Sequence, residues 1–512
     1  MNPSLSVVPD PGSIQFREGV FCVPGIPGIT GDEFFRQEME LVSGQLLKDA
    51  GNSGSPVVQE TAARIICKKS GELPEEAYRL DIAPGSITLE ASGKPGIYHG
   101  LQTLRQLYLS GGSSGTVEIP CAVIEDRPRF PWRGFMLDVS RHFYSVDFIK
   151  KLIDTLSLHH INKFHWHLTD DQGWRLPVPA YPLLTETGSI RLDSRTGRRD
   201  GGFYTAGEIR ELVSWAAARQ VEIIPEVDLP GHTSAALAAY PGLGCTGGPY
   251  HVEERFGVLE DMLCAGNDGI FDLVSAVFDT LAELFPSPYV HIGGDEAPPH
   301  RWAACPKCQK RMEETGLKSP RELQSWITRK LAGMLAERGR TAIGWDEVLE
   351  DSEQYPHPKD EVVMSWRGWL GQDMGVNGIR RGHRVIMAPN SQGCYLDYKH
   401  RDDHEEPGQP AISSIYQGYT LNPVPAGLSG EEAGRILGGQ GNLWAELIYA
   451  GKIAEYMIFP RICAIAEALW TAREPRDFGG FLSRLEVHQK RLDRLGFLQY
   501  RGDPGGPSPS TS

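Results

Sequence analysis

Pro288-Tyr-Val-His-Ile-Gly-Gly-Asp-Glu-Ala-Pro-Pro-His-Arg-Trp302 is the stretch on which the reading of this chain turns. A β-prone run over 289–292 stops at Gly293-Gly294, and two carboxylates, Asp295 and Glu296, follow at once. Neighbouring side chains on a regular strand point to opposite faces. Two glycines can kink the strand end, so that both carboxylates reach one pocket. Adjacent carboxylates raise each other's cost of ionisation, which suits a site needing one protonated acid beside one charged group. Taken alone, Asp-Glu after a strand is more often an acidic turn. The weight comes from what the rest of the chain repeats.

On both sides of this stretch the pattern alternates between strands and helices. Strands are predicted over 134–140, 163–170, 221–228, 289–296, 341–346, 362–366, 384–388 and 435–440. Between them lie helical stripes at i, i+3, i+4, i+7: Ile149, Leu152, Ile153, Leu156; Ile209, Leu212, Val213, Ala216; Ile270, Leu273, Val274, Val277. Thr205-Ala-Gly-Glu208 and Ser319-Pro-Arg-Glu322 have the form of capping boxes. Eight strands separated by helix-length segments favour a (β/α)8 TIM barrel over a doubly wound open sheet.

Ahead of the barrel, residues 1–125 read as a small α+β domain. Strands are expected at 57–58, 63–67, 79–83 and 86–90, and a helix over 96–109. The charged, proline-broken segment 125–131 marks a boundary. The catalytic barrel is then expected over 126–500, and the Pro/Gly/Ser-rich tail, 501–512, is expected to be disordered.

The 512 residues are too many for one small core and suit two or three domains, or one large barrel with an appendage. A hydrophobic content of 40% with 23% charged residues is that of a soluble globular chain. The net charge of −15 argues against nucleic acid or an anionic membrane as partner. The first residues have no basic region followed by an apolar core, and no run of 18 or more apolar residues occurs, so a cytoplasmic location is the default expectation. Oligomeric state is not readable.

In a barrel, the C-terminal strand ends form one mouth. In order they offer Asp138 and Arg141; Asp170 and Asp171; Asp228 and His232; Asp295 and Glu296; Trp345; Trp366; Tyr395 and Asp397; Trp444 and Glu446. One such residue is weak evidence; eight strand ends in phase are not. Carboxylates with flat aromatic rings suit carbohydrate, whose ring faces present C–H groups to indole and whose hydroxyl pairs are chelated by Asp, Glu and Arg. No Gly-rich phosphate loop or dinucleotide fingerprint follows a strand, so no cofactor is expected.

Two features point towards metal instead. His165-Trp-His167 puts two imidazoles on one strand face, as metal-dependent amidohydrolase barrels do, but the later strand ends offer mostly Trp, Asp and Glu. Packing and hydrogen bonding beneath the pocket is the preferred role for the pair. Cys305-Pro-Lys-Cys308 has the spacing of a zinc knuckle. No second Cys or His pair stands suitably placed in the sequence, so a turn without metal is expected. Nine cysteines scattered along the chain do not form a disulfide framework.

Five motifs together resemble glycoside hydrolase family 20, the β-N-acetylhexosaminidases: Asp138-Val-Ser-Arg-His142, His165-Trp-His-Leu-Thr-Asp-Asp171, Pro225-Glu-Val-Asp-Leu-Pro-Gly-His232, His291-Ile-Gly-Gly-Asp-Glu296 and Gly441-Asn-Leu-Trp-Ala-Glu446. Gly96-Ile-Tyr-His-Gly-Leu-Gln-Thr-Leu-Arg-Gln-Leu107 is similar to the last helix of that family's N-terminal domain. The resemblance implies a retaining exo-glycosidase acting on a carbohydrate substrate, with no enzyme nucleophile. The substrate's 2-acetamido carbonyl attacks the anomeric carbon, giving an oxazolinium intermediate.

By the same likeness Glu296 is the general acid, Asp295 orients the acetamido N–H, and Tyr395 donates to the acetamido carbonyl oxygen. Arg141 and Glu446 hold outer hydroxyls, with Asp397 near the O6 side. Trp345, Trp366 and Trp444 box the acetamido methyl and the ring face, and Asp170 with His232 tunes Glu296. The Arg/Gly-rich insertion 189–202 is a candidate part of the aglycone site, and Pro298-Pro299 set a distinctive loop after the acid. Cys245 and Cys264 flank the loop after the third strand; a disulfide between them is left open. The rival from another class is a catalytically dead sugar-binding barrel, whose usual mark, loss of the acid or the tyrosine, is missing here.

Overall fold

The computed structural model describes residues 5–24, 26–51, 63–110, 116–193, 197–350, 358–371, 373–472 and 476–506. The expected strand at 57–58 lies outside them, as does the tail from 507 onward. Just before that point the Tyr416 amide donates to the Pro504 carbonyl at 3.0 Å.

Eight parallel strands close into a barrel in chain order: Trp132–Asp138, Lys163–His167, Glu222–Leu229, Tyr289–Gly293, Thr341–Trp345, Val362–Ser365, Arg384–Met387 and Ile436–Leu443, the last pairing with the first. Each coincides with an expected strand to within a few residues. The three helical stripes bury their apolar faces on Val146–Leu158, Ala206–Ala217 and Gly269–Leu284. Their shared core with the outer barrel face is the largest apolar cluster of the molecule.

The barrel interior changes character along its axis. Ile224, Ile343, Val362, Met364 and Ile386 form an apolar plug. Two residues further along the strands, or one turn of the pleat, the inward positions become polar: Glu226 and Asp228 follow Ile224 on the third strand, both buried. The fold therefore rests on its floor and keeps its chemistry at the C-terminal end.

The N-terminal unit is a six-stranded sheet with spatial order Ser13–Pro24, Thr116–Asp126, Tyr78–Ile82, Ile87–Ala91, Ala63–Lys69 and Gly28–Gly31. The hairpin around Pro84-Gly85 is as expected. The helix Lys94–Ser110 is buried on nearly all sides, because it lies between this sheet and the barrel. Its Tyr98 hydroxyl meets Ser157 Oγ at 2.9 Å, and its Arg105 pairs with Asp154 of the barrel at 3.2 Å. The outer strand Ser13–Pro24 escapes sequence reading because most of it is exposed, apolar Phe16 and Val20 included, so no inside–outside alternation marks it.

Two local expectations meet different outcomes. Thr205 and Glu208 make both bonds of a capping box. The box at 319–322 does not form: the helix begins at Glu322, Arg321 is its N-cap, and no side chain caps it. There the Ser319 carbonyl takes the Glu322 amide at 3.1 Å, and Gln324 Nε2 ties the helix start to the Gly294 carbonyl at 2.7 Å. The Glu322 carboxylate takes the Lys318 amide at 3.2 Å instead, one residue before the expected cap.

The Cys305–Cys308 turn is not isolated. The Sγ atoms of Cys245, Cys264, Cys305 and Cys308 all lie within 4.8 Å of one another, so the expectation that no second pair stands nearby is corrected. Sequence distance hid it, since Cys264 is 41 residues from Cys305 and Cys245 is 63 from Cys308. Cys245 and Cys264 are free thiols rather than a disulfide.

Candidate active site

The fourth strand ends at Gly293, and the next residues turn sharply: Gly293 has φ +69°, Gly294 +92° and Glu296 +42°. A Cβ on Gly293 would lie 1.7 Å from Asp228 Oδ1, so only glycine lets the two strand ends approach. Glu296 and His232 (φ +50°) are among the few non-glycine residues with left-handed backbone, and they touch each other. Such strain persists where surrounding structure over-determines it, commonly at reactive sites.

Arg141, Asp295, Glu296, Trp345, Trp366, Tyr395, Asp397, Trp444 and Glu446 line one open cavity of about 320 Å3 at the barrel mouth. Nine of the residues singled out in the sequence are thus brought together. Asp170 and His232 lie behind the wall. His232 Nε2 is 3.3 Å from Glu296 Oε2, while its Nδ1 is 3.2 Å from both Asp170 and Asp171. Asp170 also takes Arg141 Nη2 at 2.8 Å and His167 Nε2 at 3.0 Å.

The electrostatics follow from these distances. Burial alone would lift Asp170, but Arg141 and His232 hold it far below the usual carboxylate range. Burial works against His232 too, yet the charge of Asp170 and its bonds to Asp170, Asp171 and Glu296 raise it well above an ordinary histidine. Burial pushes Glu296 up and is outweighed by the bond to His232, with Arg141 beyond, so Glu296 is lowered. The resting pair keeps its proton on His232. Asp295 moves the other way: burial, with Glu296 and Glu226 nearby, pushes it up to about 6 although His232 opposes this.

The aromatic walls are fixed by carboxylates that sequence reading did not single out. Trp345 Nε1 donates to Glu226 Oε1 at 3.0 Å, and Trp366 Nε1 to Glu347 Oε2 at 2.9 Å. Trp366 stacks on Tyr395 at 25° between ring planes, and Trp444 lies 5.7 Å from Trp345. The Arg141 guanidinium sits 4.9 Å over Trp444. Also missed were Tyr398, Gln409, Pro410 and Ala411, contributed to the cavity by an excursion after the seventh strand that carries no barrel periodicity.

His165, His167 and His291 converge on the fully buried Glu226 carboxylate, at 2.8, 2.7 and 3.0 Å. None of the three lines the cavity. This supports the packing role and disfavours the amidohydrolase arrangement, which needs imidazoles open to substrate. Within the insertion 189–202, Ile190–Asp193 pairs antiparallel with Arg198–Gly201. Arg191 packs it on His142 at 3.0 Å, and it contributes nothing to the cavity wall among the described residues.

Four buried polar atoms around the cavity have no hydrogen-bond partner among the described residues: Arg141 Nε, Asp295 Oδ1, Asp397 Oδ1 and Glu446 Oε2. Folded proteins leave few buried polar atoms unpaired, so a ring of them marks the place of a many-hydroxyl ligand.

The description "Glycosyl hydrolase family 20, catalytic domain" matches residues 130–473, and "Glycosyl hydrolase family 20, domain 2" matches 4–127. The chain belongs to glycosyl hydrolase family 20. A β-hexosaminidase of Porphyromonas gingivalis is 42% identical over 445 residues, 85% of this chain; the chain spans only 56% of that relative's length. A β-hexosaminidase of Akkermansia muciniphila is 37% identical, covering 84% of this chain and 87% of that one. Among solved structures, the family 20 exo-β-N-acetylglucosaminidase of Vibrio harveyi in complex with N-acetylglucosamine superposes with a TM-score of 0.87 at 33% identity, over 97% of this chain and 78% of that one. This family 20 chain is therefore a glycoside hydrolase with a TIM-barrel catalytic domain, and the dead-barrel alternative is not favoured.

Proposed function

We propose that this glycosidase releases terminal, non-reducing β-linked N-acetylhexosamine with retention, using the substrate's own 2-acetamido group as nucleophile. The observation that carries the reading is Asp295 Oδ1, a buried and unpartnered acceptor in a cavity walled by Trp345, Trp366, Tyr395 and Trp444. An acetamido N–H is the donor such an oxygen lacks, and indole and phenol faces suit its methyl group.

In this mechanism Asp295 acts as a carboxylate. It accepts from the acetamido N–H and stabilises the positive charge that grows on nitrogen as the carbonyl oxygen closes on the anomeric carbon. Tyr395 donates its hydroxyl to that carbonyl oxygen. Burial keeps the phenol neutral by raising it well above the ordinary range. Glu296 protonates the departing oxygen and later takes a proton from the water that opens the oxazolinium ring.

The proton resting on His232 has a short route to Glu296 Oε2 across 3.3 Å. A sugar bound over the partly exposed Glu296 removes its water, which raises its proton affinity when the acid is needed. Arg141 and Glu446 hold the outer hydroxyls, and Asp397, raised by burial and by Glu446, offers a hydroxyl-binding group beside them.

Proton NMR of the sugar released in the first turnovers tests the stereochemistry. The β-anomer of N-acetylhexosamine should appear first and mutarotate later. First appearance of the α-anomer would mean direct displacement by water, which this reading forbids.

A further inference from the structure

Outside the catalytic cavity, the loop after the third barrel strand and the loop after the fourth meet at four cysteines. Cys245 and Cys264 come from the first loop, Cys305 and Cys308 from the second, and the last three are buried. Neighbouring Sγ atoms lie 3.8 Å apart for Cys245–Cys308, 3.7 Å for Cys264–Cys305 and 3.6 Å for Cys264–Cys308. A tetrahedral ion with Zn–S bonds of about 2.3 Å has S···S edges of about 3.8 Å. A disulfide would need about 2.05 Å. Two thiols in simple contact sit equally far apart, but four converging on one point need a further reason.

The backbone around them is built for thiolates. Cys305 is the N-cap of the ten-residue helix Pro306–Thr315, and Cys308 lies in its first turn, so the positive end of the helix faces both sulfurs. A Cβ on Gly266 would sit 2.1 Å from the Lys307 carbonyl carbon; only glycine lets this backbone close over the Cys-Pro-Lys-Cys turn.

We infer that Cys245, Cys264, Cys305 and Cys308 bind one zinc ion as a structural four-thiolate site that clamps these two loops together. Segment 244–268 holds no helix or strand beyond an isolated bridge between Gly244 and Leu263, and long irregular loops need such a staple. The clamp is continued by Arg301 Nε on Asp261 at 2.7 Å and Trp302 Nε1 on the Leu263 carbonyl at 2.9 Å. The two loops are those that begin with His232 and with Asp295-Glu296. The ion therefore steadies the acid's support without touching substrate. None of the four cysteines lines the catalytic cavity.

The test is metal content of the full chain, grown in zinc-replete medium, purified without a metal-affinity column and dialysed against EDTA. Mass spectrometry of the elements should find about one zinc per chain, and the cobalt-substituted protein should show thiolate-to-cobalt charge-transfer absorption of a four-sulfur tetrahedral site. Cys305→Ser/Cys308→Ser should fall to below about a tenth of an equivalent, while Cys22→Ser, exposed and remote from the cluster, should keep about one. The double variant can lose its fold, so the unsubstituted chain decides. Zinc below about a tenth of an equivalent there, with all four thiols free or paired in disulfides, overturns the site. Cobalt binding without sulfur charge transfer overturns it equally.

Discussion

Glu296→Gln is expected to cut kcat/KM for a disaccharide substrate by ~10²–10⁴-fold, the range for loss of general-acid assistance. A sugar alkoxide cannot leave unprotonated, so the whole deficit falls on cleavage of the glycosidic bond. A nitrophenolate leaves with little help, and the same variant should lose roughly tenfold or less in kcat/KM on the nitrophenyl glycoside. The contrast between leaving groups is the signature. A structural role for Glu296, whose strained backbone also holds the strand end, would depress both substrates alike. Steady-state measurement of both glycosides on one preparation distinguishes the two.

Asp295→Asn is expected to slow bond cleavage by ~10²–10³-fold with either leaving group, the scale of one preorganised electrostatic contact. Amide for carboxylate keeps the shape and removes the charge matched to the acetamido nitrogen. The pH profile gives a second readout. Asp295 works as a carboxylate and is pushed up to about 6, first by burial and then by Glu296 and Glu226. Below that pH it is protonated, so kcat/KM of the unsubstituted enzyme should rise with pH through about 6. Asn does not titrate, and the variant should lose this limb. Persistence of the limb in Asp295→Asn would assign it to another group.

The barrel was legible because periodicity and phase agreed. Eight β-prone runs were each followed by a candidate site residue, and a closed parallel barrel gathers eight such ends around one mouth. The residues that face substrate were legible for the same reason, since they follow the strand ends. What supports them was less so. Glu226 and Glu347 hold indoles and imidazoles, but their neighbours come from other strands, and charge alone does not tell an inward carboxylate from an exposed one. Gln409 to Ala411 reach the cavity from a short strand, Gln409–Ile412, outside the barrel. The Cys245–Cys264–Cys305–Cys308 cluster hid behind separations of 41 to 63 residues, which no local spacing rule spans. Ser319-Pro-Arg-Glu322 shows the opposite error, a local signal read too early: Arg321 is the N-cap and Glu322 bonds the Lys318 amide.

The two histidines of His165-Trp-His167 are separated by their surroundings. Burial drops His165 to about 4, against the pull of Glu226. His167 suffers the same burial but is raised well above the ordinary range by Glu226 and Asp170. One imidazolium therefore neutralises Glu226, which in turn orients Trp345. Alternating strand positions gave the pairing of the two rings, while their different charge states arise from contacts with the third strand and the loop after the second.

The central claim is that the substrate supplies its own nucleophile, and the most direct measurement compares two nitrophenyl β-glycosides differing only at C2. With 2-acetamido the enzyme has its nucleophile; with 2-hydroxyl it has none, and Asp295 loses the charge it is placed to stabilise. The account predicts that kcat/KM for the 2-hydroxy glycoside is lower by several orders of magnitude, beyond the ~10²–10³ of a single lost contact. Turnover of the two glycosides at comparable rates would contradict it and would make Asp295 a direct nucleophile.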